Sequence, residues 1–474
     1  MPSRIRHDLR GGQTGHDRPP HARDAQDRGS VAHAPLLRWS DRRPASRDVE
    51  SLSLARASTP RLGATHLFID FSLDHYRQVF RYRAFRLFWS GFALSVAGDA
   101  MTRVVLTWYV WEATGSSRAL GLLAFLYTGP IIVSGLFAGA LLDRFDRRRV
   151  MIVDSVVRGA AVAAIPLLHA LGSLEVWHVY VVAAIYASLM MVSLAGAPTM
   201  IPSLFPARHL STANALETIA YTLSGVLGPP IAGLLIAKIG APNVVIIDAI
   251  TYLAFAAALL GMGHHDVAAA TPTRTRNDKG IRDVLRLVAG NKILLSTTIM
   301  YMSANIAMGM MFVWLPIYSD QGLGGGAGLF GMLLGLLAIG EVVSSLLAGS
   351  MSFRLALGSL ICIVMLLSGL SVAILLLGEK VWIAAIGMTL FGFFSAPLTI
   401  WAQTLRMKII PPDMMGRTFA LLRMSMQGTN PLGGIVAGAA LAVVSVPVMI
   451  GLSVVFVALP GAFGYKVKEL RSAR

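Results

Sequence analysis

Gly139-Ala-Leu-Leu-Asp143-Arg144-Phe-Asp146-Arg147-Arg148-Arg149 fills a short gap between two long apolar runs. The glycine lets two helices approach closely at a membrane edge, one acid can face a helix amino terminus, and the arginines stay in water. A cluster of this kind marks a cytoplasmic loop of a chain that crosses the bilayer many times.

The composition agrees. Of the 474 residues 55% are hydrophobic and only 14% charged, with a mean hydropathy of +0.64, above the range of soluble domains. A formal charge of +16 would point to nucleic acid if it covered one soluble face. Here the basic residues flank apolar runs or crowd the amino terminus, so no nucleic-acid partner is expected. The one cysteine, Cys362, lies inside an apolar run, which excludes an intrachain disulfide.

About 20 apolar residues cross roughly 30 Å of hydrocarbon. Twelve such runs occur. The first six are Arg86 to Trp111, Ala119 to Leu142, Val150 to Leu171, Val176 to Met200, Ala213 to Ala237 and Val244 to Met262. The second six are Ile293 to Tyr318, Leu329 to Ser350, Ala356 to Leu377, Val381 to Gln403, Phe419 to Val444 and Val446 to Gly464. The fold class is therefore all-α integral membrane, twelve transmembrane helices in two six-helix bundles. With both termini inside, the short cytoplasmic loops and tail collect most of the lysine and arginine, and the other side holds only Arg118, Lys238 and Lys380. This predicts a multi-pass protein of the cytoplasmic membrane.

The longest polar break, residues 263–291, is read as a cytoplasmic central loop between a bundle at 82–262 and a second at 292–474. Weak internal similarity supports a duplication. Gly139 to Arg144 and Gly349 to Arg354 both close the second run of a half, and Gly225-Val-Leu-Gly228-Pro229 has a loose counterpart in Gly428-Thr-Asn430-Pro431. Two bundles rocking about a midplane site are what alternating access requires. Residues 1–75 are basic, without lysine or a long apolar run, and read as a disordered extension.

An ionisable side chain costs about 2.5–3.5 kcal/mol to insert at the bilayer centre. Those within the runs therefore face protein or water. Asp99, with Ser95 a turn before it and Arg103 a turn after, shares one helical face. That face lines a cavity or holds a buried Asp99–Arg103 pair, and both readings stand. Asn214, Glu217, Tyr221, Gly225 and Gly228 form a stripe suited to substrate contact or to tight packing. Glu341 is central in the eighth run, on a stripe with Gly331 and Gly335, and Arg423, Gln427 and Asn430 form a comparable stripe in the eleventh. Asp99, Glu341 and Glu217 are the proton-coupling candidates, and Arg103, Asn214, Tyr221, Arg423, Gln427 and Asn430 the cavity candidates. An attraction between Glu341 and Arg423 stays open, as does the role of Asp248. Asp154 and Arg158, one turn apart, read as a structural ion pair.

Gly139, Leu141, Asp143, Arg144, Arg147 and Arg148 match the loop motif of the major facilitator superfamily, with Asp146 in place of a frequent glycine. The chain resembles that superfamily from about Tyr82 to Leu470. Arg83-Ala-Phe-Arg86-Leu-Phe-Trp89, Gly98-Asp99, Ala213-Asn214-Ala-Leu and Gly416-Arg417-Thr-Phe419 are similar to its bacterial exporter branch, which includes enterobactin-type siderophore exporters, macrolide efflux proteins and the mycobacterial multidrug pump Tap. Gly225, Gly228, Pro229 and Gly233 resemble the glycine-proline motif of drug antiporters, a place for a helix bend. The resemblance implies a conformational latch of Gly139, Asp143, Arg144, Arg147, Gly416 and Arg417, in which Asp143 caps the eleventh helix and Arg147 steadies the acid. It also implies a monomer.

No phosphate-binding loop, metal-ligand cluster or nucleophile elbow occurs in the sequence, so no enzyme, cofactor or metal chemistry is expected. The expected function is secondary export of an amphipathic small molecule with protons as coupling ion. A siderophore exporter, a lysophospholipid flippase and a non-transporting sensor are the alternatives.

Overall fold

A computed structural model of the chain describes residues 77–204, 209–262, 281–350, 355–411 and 414–474. The basic extension and the loop residues Arg208, Arg274, Arg276, Lys279 and Arg354 lie outside the described residues.

Six rods form the first bundle: α1 (Arg83–Thr114), α2 (Ser117–Arg144), α3 (Arg147–Ala170), α4 (Val176–Leu204), α5 (Leu210–Ile239) and α6 (Ala241–Gly261). A short α7 (Ile281–Gly290) leads into the second. That bundle comprises α8 (Lys292–Ile317), α9 (Gly326–Ser350), α10 (Leu357–Ala373), α11 (Val381–Ile409), the pair α12 (Met415–Gln427) and α13 (Asn430–Ala440), and α14 (Val446–Lys466). A last turn, α15 (Lys468–Arg471), follows.

Among the described residues ten helices are long and apolar enough to cross a membrane. The two remaining runs are α1, diluted by Ser95, Asp99, Thr102 and Arg103, and the eleventh, which divides at Gly428-Thr429. Pro431 at the start of α13 cannot donate to the preceding turn. The Thr429 hydroxyl instead donates to the Met302 and Met426 carbonyls, both at 2.8 Å. Pro229 and Pro230, by contrast, sit inside an unbroken α5.

The bundles meet through α5 on α9 and α2 on α13. Glycines make both contacts. A Cβ at Gly121 would lie 2.9 Å from the Gly434 carbonyl oxygen, one at Gly438 would lie 2.8 Å from that of Ser117, and one at Gly331 would strike the Pro229 carbonyl. Backbones this close require residues without side chains. Trp111 Nε1 also donates across to the Asp320 carboxylate at 2.9 Å, and the Ser117 hydroxyl to the Gly438 carbonyl at 3.0 Å. All these contacts lie at the end away from the Arg144–Arg149 loop. Toward that loop Asn214, Tyr221, Arg423 and Gln427 are exposed.

Two expectations need correction. The segment 263–291 is not wholly loop, because residues 281–290 form α7. Its apolar positions recur at helical spacing, Val284 is buried, and Leu287 and Val288 pack against Leu294, Ile410 and Leu422. Nor do all the loop arginines stay in water. Arg148 is buried, and its guanidinium donates to the carbonyls of Leu259 (2.6 Å) and Leu260 (2.9 Å), the last acceptors of α6. Asp146 is the N-cap of α3, accepting from the Arg149 amide at 2.8 Å, which accounts for an acid at that position.

Candidate functional site

Four helices of the first bundle, α1, α3, α4 and α6, bring polar residues together. Arg158 of α3 donates to Asp154 Oδ2 on its own helix at 2.6 Å and to Ser193 of α4, whose hydroxyl in turn donates to Asp154 at 2.7 Å. Its other terminal nitrogen donates to the Tyr252 hydroxyl of α6 at 2.8 Å, and Tyr252 donates to Asp99 of α1. Asp99 Oδ2 lies 3.6 Å from the same guanidinium, which rests over the Tyr252 ring at 4.7 Å. Asp248 of α6 completes the group, accepting from Thr102 at 2.5 Å and Thr251 at 3.1 Å. Gly98 makes room for it, since a Cβ there would lie 3.0 Å from the Asp248 carboxyl carbon.

The group holds three carboxylates and one guanidinium. Burial favours full pairing, yet Arg158 Nε and Asp154 Oδ1 have no hydrogen-bond partner among the described residues. The members differ in access. The Asp154 and Arg158 side chains are 1% exposed and that of Asp99 is 21% exposed. A small cavity within the first bundle, lined by Phe92, Ser95, Asp99, Arg158, Ser193 and Tyr221, adjoins the group. Asp99 is thus the acid that solvent or a ligand meets first, and Tyr252 and Arg158 join it to Asp154.

The Asp154–Arg158 pair expected from the sequence lies at 2.6 Å, and of the two readings left open for Asp99, a cavity face or a pair with Arg103, the pair is not formed. Arg103 is exposed and makes no ion pair among the described residues. Asp99 instead turns to Arg158 and Tyr252, which approach it from α3 and α6. Tyr252 and Ser193 were missed. A signal existed, since Asp248, Thr251 and Tyr252 form a polar stripe at spacings of three and four on an otherwise apolar α6.

Glu341 is half-buried and accepts from Ser395 of α11 at 3.3 Å. No ion pair joins it to Arg423 among the described residues. Arg423 is exposed on α12, and Glu217 lies one turn before Tyr221 on α5. Asn214 and Gln427 are exposed, and the Asn430 backbone packs on Gly309. In the glycine-proline stretch a Cβ at Gly225 would meet nothing, Gly228 rests on Ala100, Gly233 on Ala327 and Gly328, and α5 stays one helix. The stretch therefore serves close packing here and does not break the helix.

For the latch, the side-chain positions of Gly139, Asp143 and Gly416 lie outside the described residues. Arg144 sits over the Phe145 ring at 5.9 Å and Arg417 is exposed. Arg147, expected to steady Asp143, donates to the Thr199 carbonyl at 3.0 Å.

Residues 88–434 match the family model of the Major Facilitator Superfamily. The multidrug efflux pump Tap of Mycolicibacterium fortuitum is 26% identical over 354 residues, covering 72% of this chain and 85% of Tap. The staphyloferrin A transporter of Staphylococcus aureus is 22% identical over 359 residues, covering 74% of this chain and 87% of its own length. The nucleoside transporter NupG superposes with a TM-score of 0.68 over 81% of this chain and 99% of that one, at 13% identity, a likeness of fold.

Proposed function

The chain belongs to the Major Facilitator Superfamily, and from that premise we propose that it exports amphipathic small molecules in exchange for protons across a bacterial cytoplasmic membrane, with both termini in the cytoplasm. The observation that carries this reading is Asp99, a partly exposed acid that lines a small cavity and is joined through Tyr252 to a buried guanidinium.

One guanidinium balances one carboxylate, so Asp99, Asp154 and Asp248 together leave excess negative charge in a medium of low dielectric. A proton on Asp99 relieves it. In the state open toward the basic loops Asp99 releases that proton to the cytoplasm as substrate loads. In the opposite state Asp99 takes a proton from outside. An inward proton movement is worth about 2.3 kcal/mol per 100 mV. Glu217 on α5 and Arg423 on α12 belong to opposite bundles, a pair that closure of the cytoplasmic side draws together, and Asp143 latches the start of α12 near Gly416 and Arg417. The protein works as a monomer. Similarity to Tap favours a drug as cargo. Similarity to the staphyloferrin A transporter keeps a siderophore as the second reading.

Uptake of a panel of fluorescent drugs into inside-out vesicles with an imposed acid interior tests the proposal. Accumulation that collapses with an uncoupler is expected. Folded protein that accumulates no compound under any gradient would end the drug reading and move siderophores forward.

A further inference from the structure

At the end away from the Arg144–Arg149 loop the second bundle holds a cavity of about 320 Å³. Four parts of the chain wall it: Tyr318 and Gln321 of the π turn Tyr318–Gly322 that ends α8, Leu375 after α10, Glu379 before α11, and Pro447 and Ile450 of α14. The floor is fixed. Tyr318, Leu375 and Ile450 are 3%, 2% and 0% exposed, and the Tyr318 hydroxyl donates to the Leu375 carbonyl at 3.3 Å. One turn deeper, Trp314 Nε1 donates to the Ser453 hydroxyl at 3.1 Å and ties α8 to α14. A Cβ at Gly322 would lie 3.0 Å from Tyr318 Cδ2, so the glycine leaves that edge of the ring uncovered. The rim of Gln321, Glu379 and Pro447 is exposed. Its one charged group is the Glu379 carboxylate, which enters no ion pair among the described residues, and Lys380 beside it in the chain does not line the cavity.

We propose that this cavity binds a small organic ammonium ion, its charge against Glu379 and its apolar body on Tyr318, Leu375 and Ile450, and that the occupant braces the contact between the bundles. A rigid apolar floor with one charged group at the mouth is the usual build of a small-molecule site. An anion would be repelled by Glu379, a neutral molecule would leave the carboxylate unused, and an ammonium with an apolar body suits both parts and can lean on the tyrosine ring. The brace follows from the π turn. Its Asp320 accepts from Trp111 of the first bundle at 2.9 Å. A ligand packed on Tyr318 holds that turn, and so favours the state in which this end is shut. The site lies apart from Asp99, and it goes beyond the transport reading without depending on it.

Single reporter cysteines in the full chain test it, in dodecyl maltoside with both faces open to solvent. Gln321→Cys lies on the rim, and Ser173→Cys, in the exposed turn after α3, is the control. Maleimide labelling at neutral pH is timed with 3-phenylpropylammonium, 3-phenylpropanol or 3-phenylpropionate, which share one body and differ in charge. The ammonium should slow labelling of Gln321→Cys about tenfold at ten times its dissociation constant and leave Ser173→Cys unchanged. It should reach half-protection at about a fivefold lower concentration than the alcohol. Adding Glu379→Gln should erase that preference, and Glu379→Asp should keep part of it. Ser117→Cys, at the contact between the bundles, should label more slowly with the ammonium bound. Equal protection by the three compounds, equal slowing at Ser173→Cys, or no protection in protein that melts cooperatively would overturn the site, and unchanged labelling of Ser117→Cys would overturn the brace. Protection by lysophosphatidylethanolamine and not by lysophosphatidylglycerol supports the site with a lipid headgroup as occupant; protection by the ammonium alone supports it with a free cation. No gradient enters this assay, so protection without proton-driven flux would refute the transport reading alone.

Discussion

In the first bundle three carboxylates, Asp99, Asp154 and Asp248, gather around one guanidinium and Tyr252, whereas in the second Glu341 and Arg406 stand apart. Glu341 has Ser395. Arg406, buried on α11, lies 4.8 Å over the Tyr301 ring and donates to the Thr297 carbonyl at 3.2 Å, with no carboxylate partner among the described residues. The backbone plan repeats, but the charges do not. A repeat needs only matching apolar faces and small residues at crossings, which many sequences supply. A buried charge group needs several helices to agree at once, so one bundle carries it and the other is free to pack.

The largest effect should come from Arg158→Met. It leaves Asp154 enclosed without its cation, and removing one partner of a buried pair costs about 3–5 kcal/mol. Thermal unfolding in detergent should show a large fall in Tm, and adding Asp154→Asn should restore part of it. No restoration would break the claim that the group acts as a unit. Arg406→Met is the matched test in the second bundle. With no carboxylate to strand, it should change stability by only about 1 kcal/mol or less. A loss as large as that of Arg158→Met would erase the contrast between the bundles.

Between these lies Gly121→Val. Its side chain would run into the Gly434 and Gly438 backbone, so the closed end should open with the fold intact. Cys362 is buried, and a reporter cysteine at Ser117 can therefore be labelled on a quiet background. Labelling from outside by an impermeant maleimide should rise about tenfold, a population shift of ~1.4 kcal/mol. Unchanged labelling would mean that the glycine contacts do not hold this state.

The smallest effect should come from Glu469→Gln at the second bundle's end. Lys292 bonds Glu469 at 2.6 Å and holds its carboxyl below the usual range. That contribution is present above the ordinary carboxylate pKa and disappears as pH falls through the lowered value. The variant should therefore melt slightly below the native protein at neutral pH and alongside it in acid. The pair is exposed, so salt should shrink the difference.

Nearly every helix was legible, because an apolar run of fixed length needs no partner to be recognised. Asp154 and Arg158 were legible for the same reason, being one turn apart on one helix. Asp99 was not, since its partners come from α3 and α6 and nothing along α1 distinguishes them from Arg103 a turn away. The division of the eleventh run was half-visible in Asn430-Pro431. The same dipeptide logic applied to Gly228-Pro229 would have broken α5, which continues as one helix packed on Ala100 and Ala327. Gly331 and Gly335 read as a place for a helix to approach, but that the helix is α5 became visible only in the assembled bundles.

The central claim, that Asp99 couples proton movement to transport, is tested most directly by comparing concentrative uptake with substrate exchange in proteoliposomes carrying Asp99→Asn. A neutral side chain of the same shape should abolish accumulation driven by a proton gradient and leave exchange of labelled for unlabelled substrate near the native rate. Gradient-driven accumulation at the native level in Asp99→Asn would contradict it.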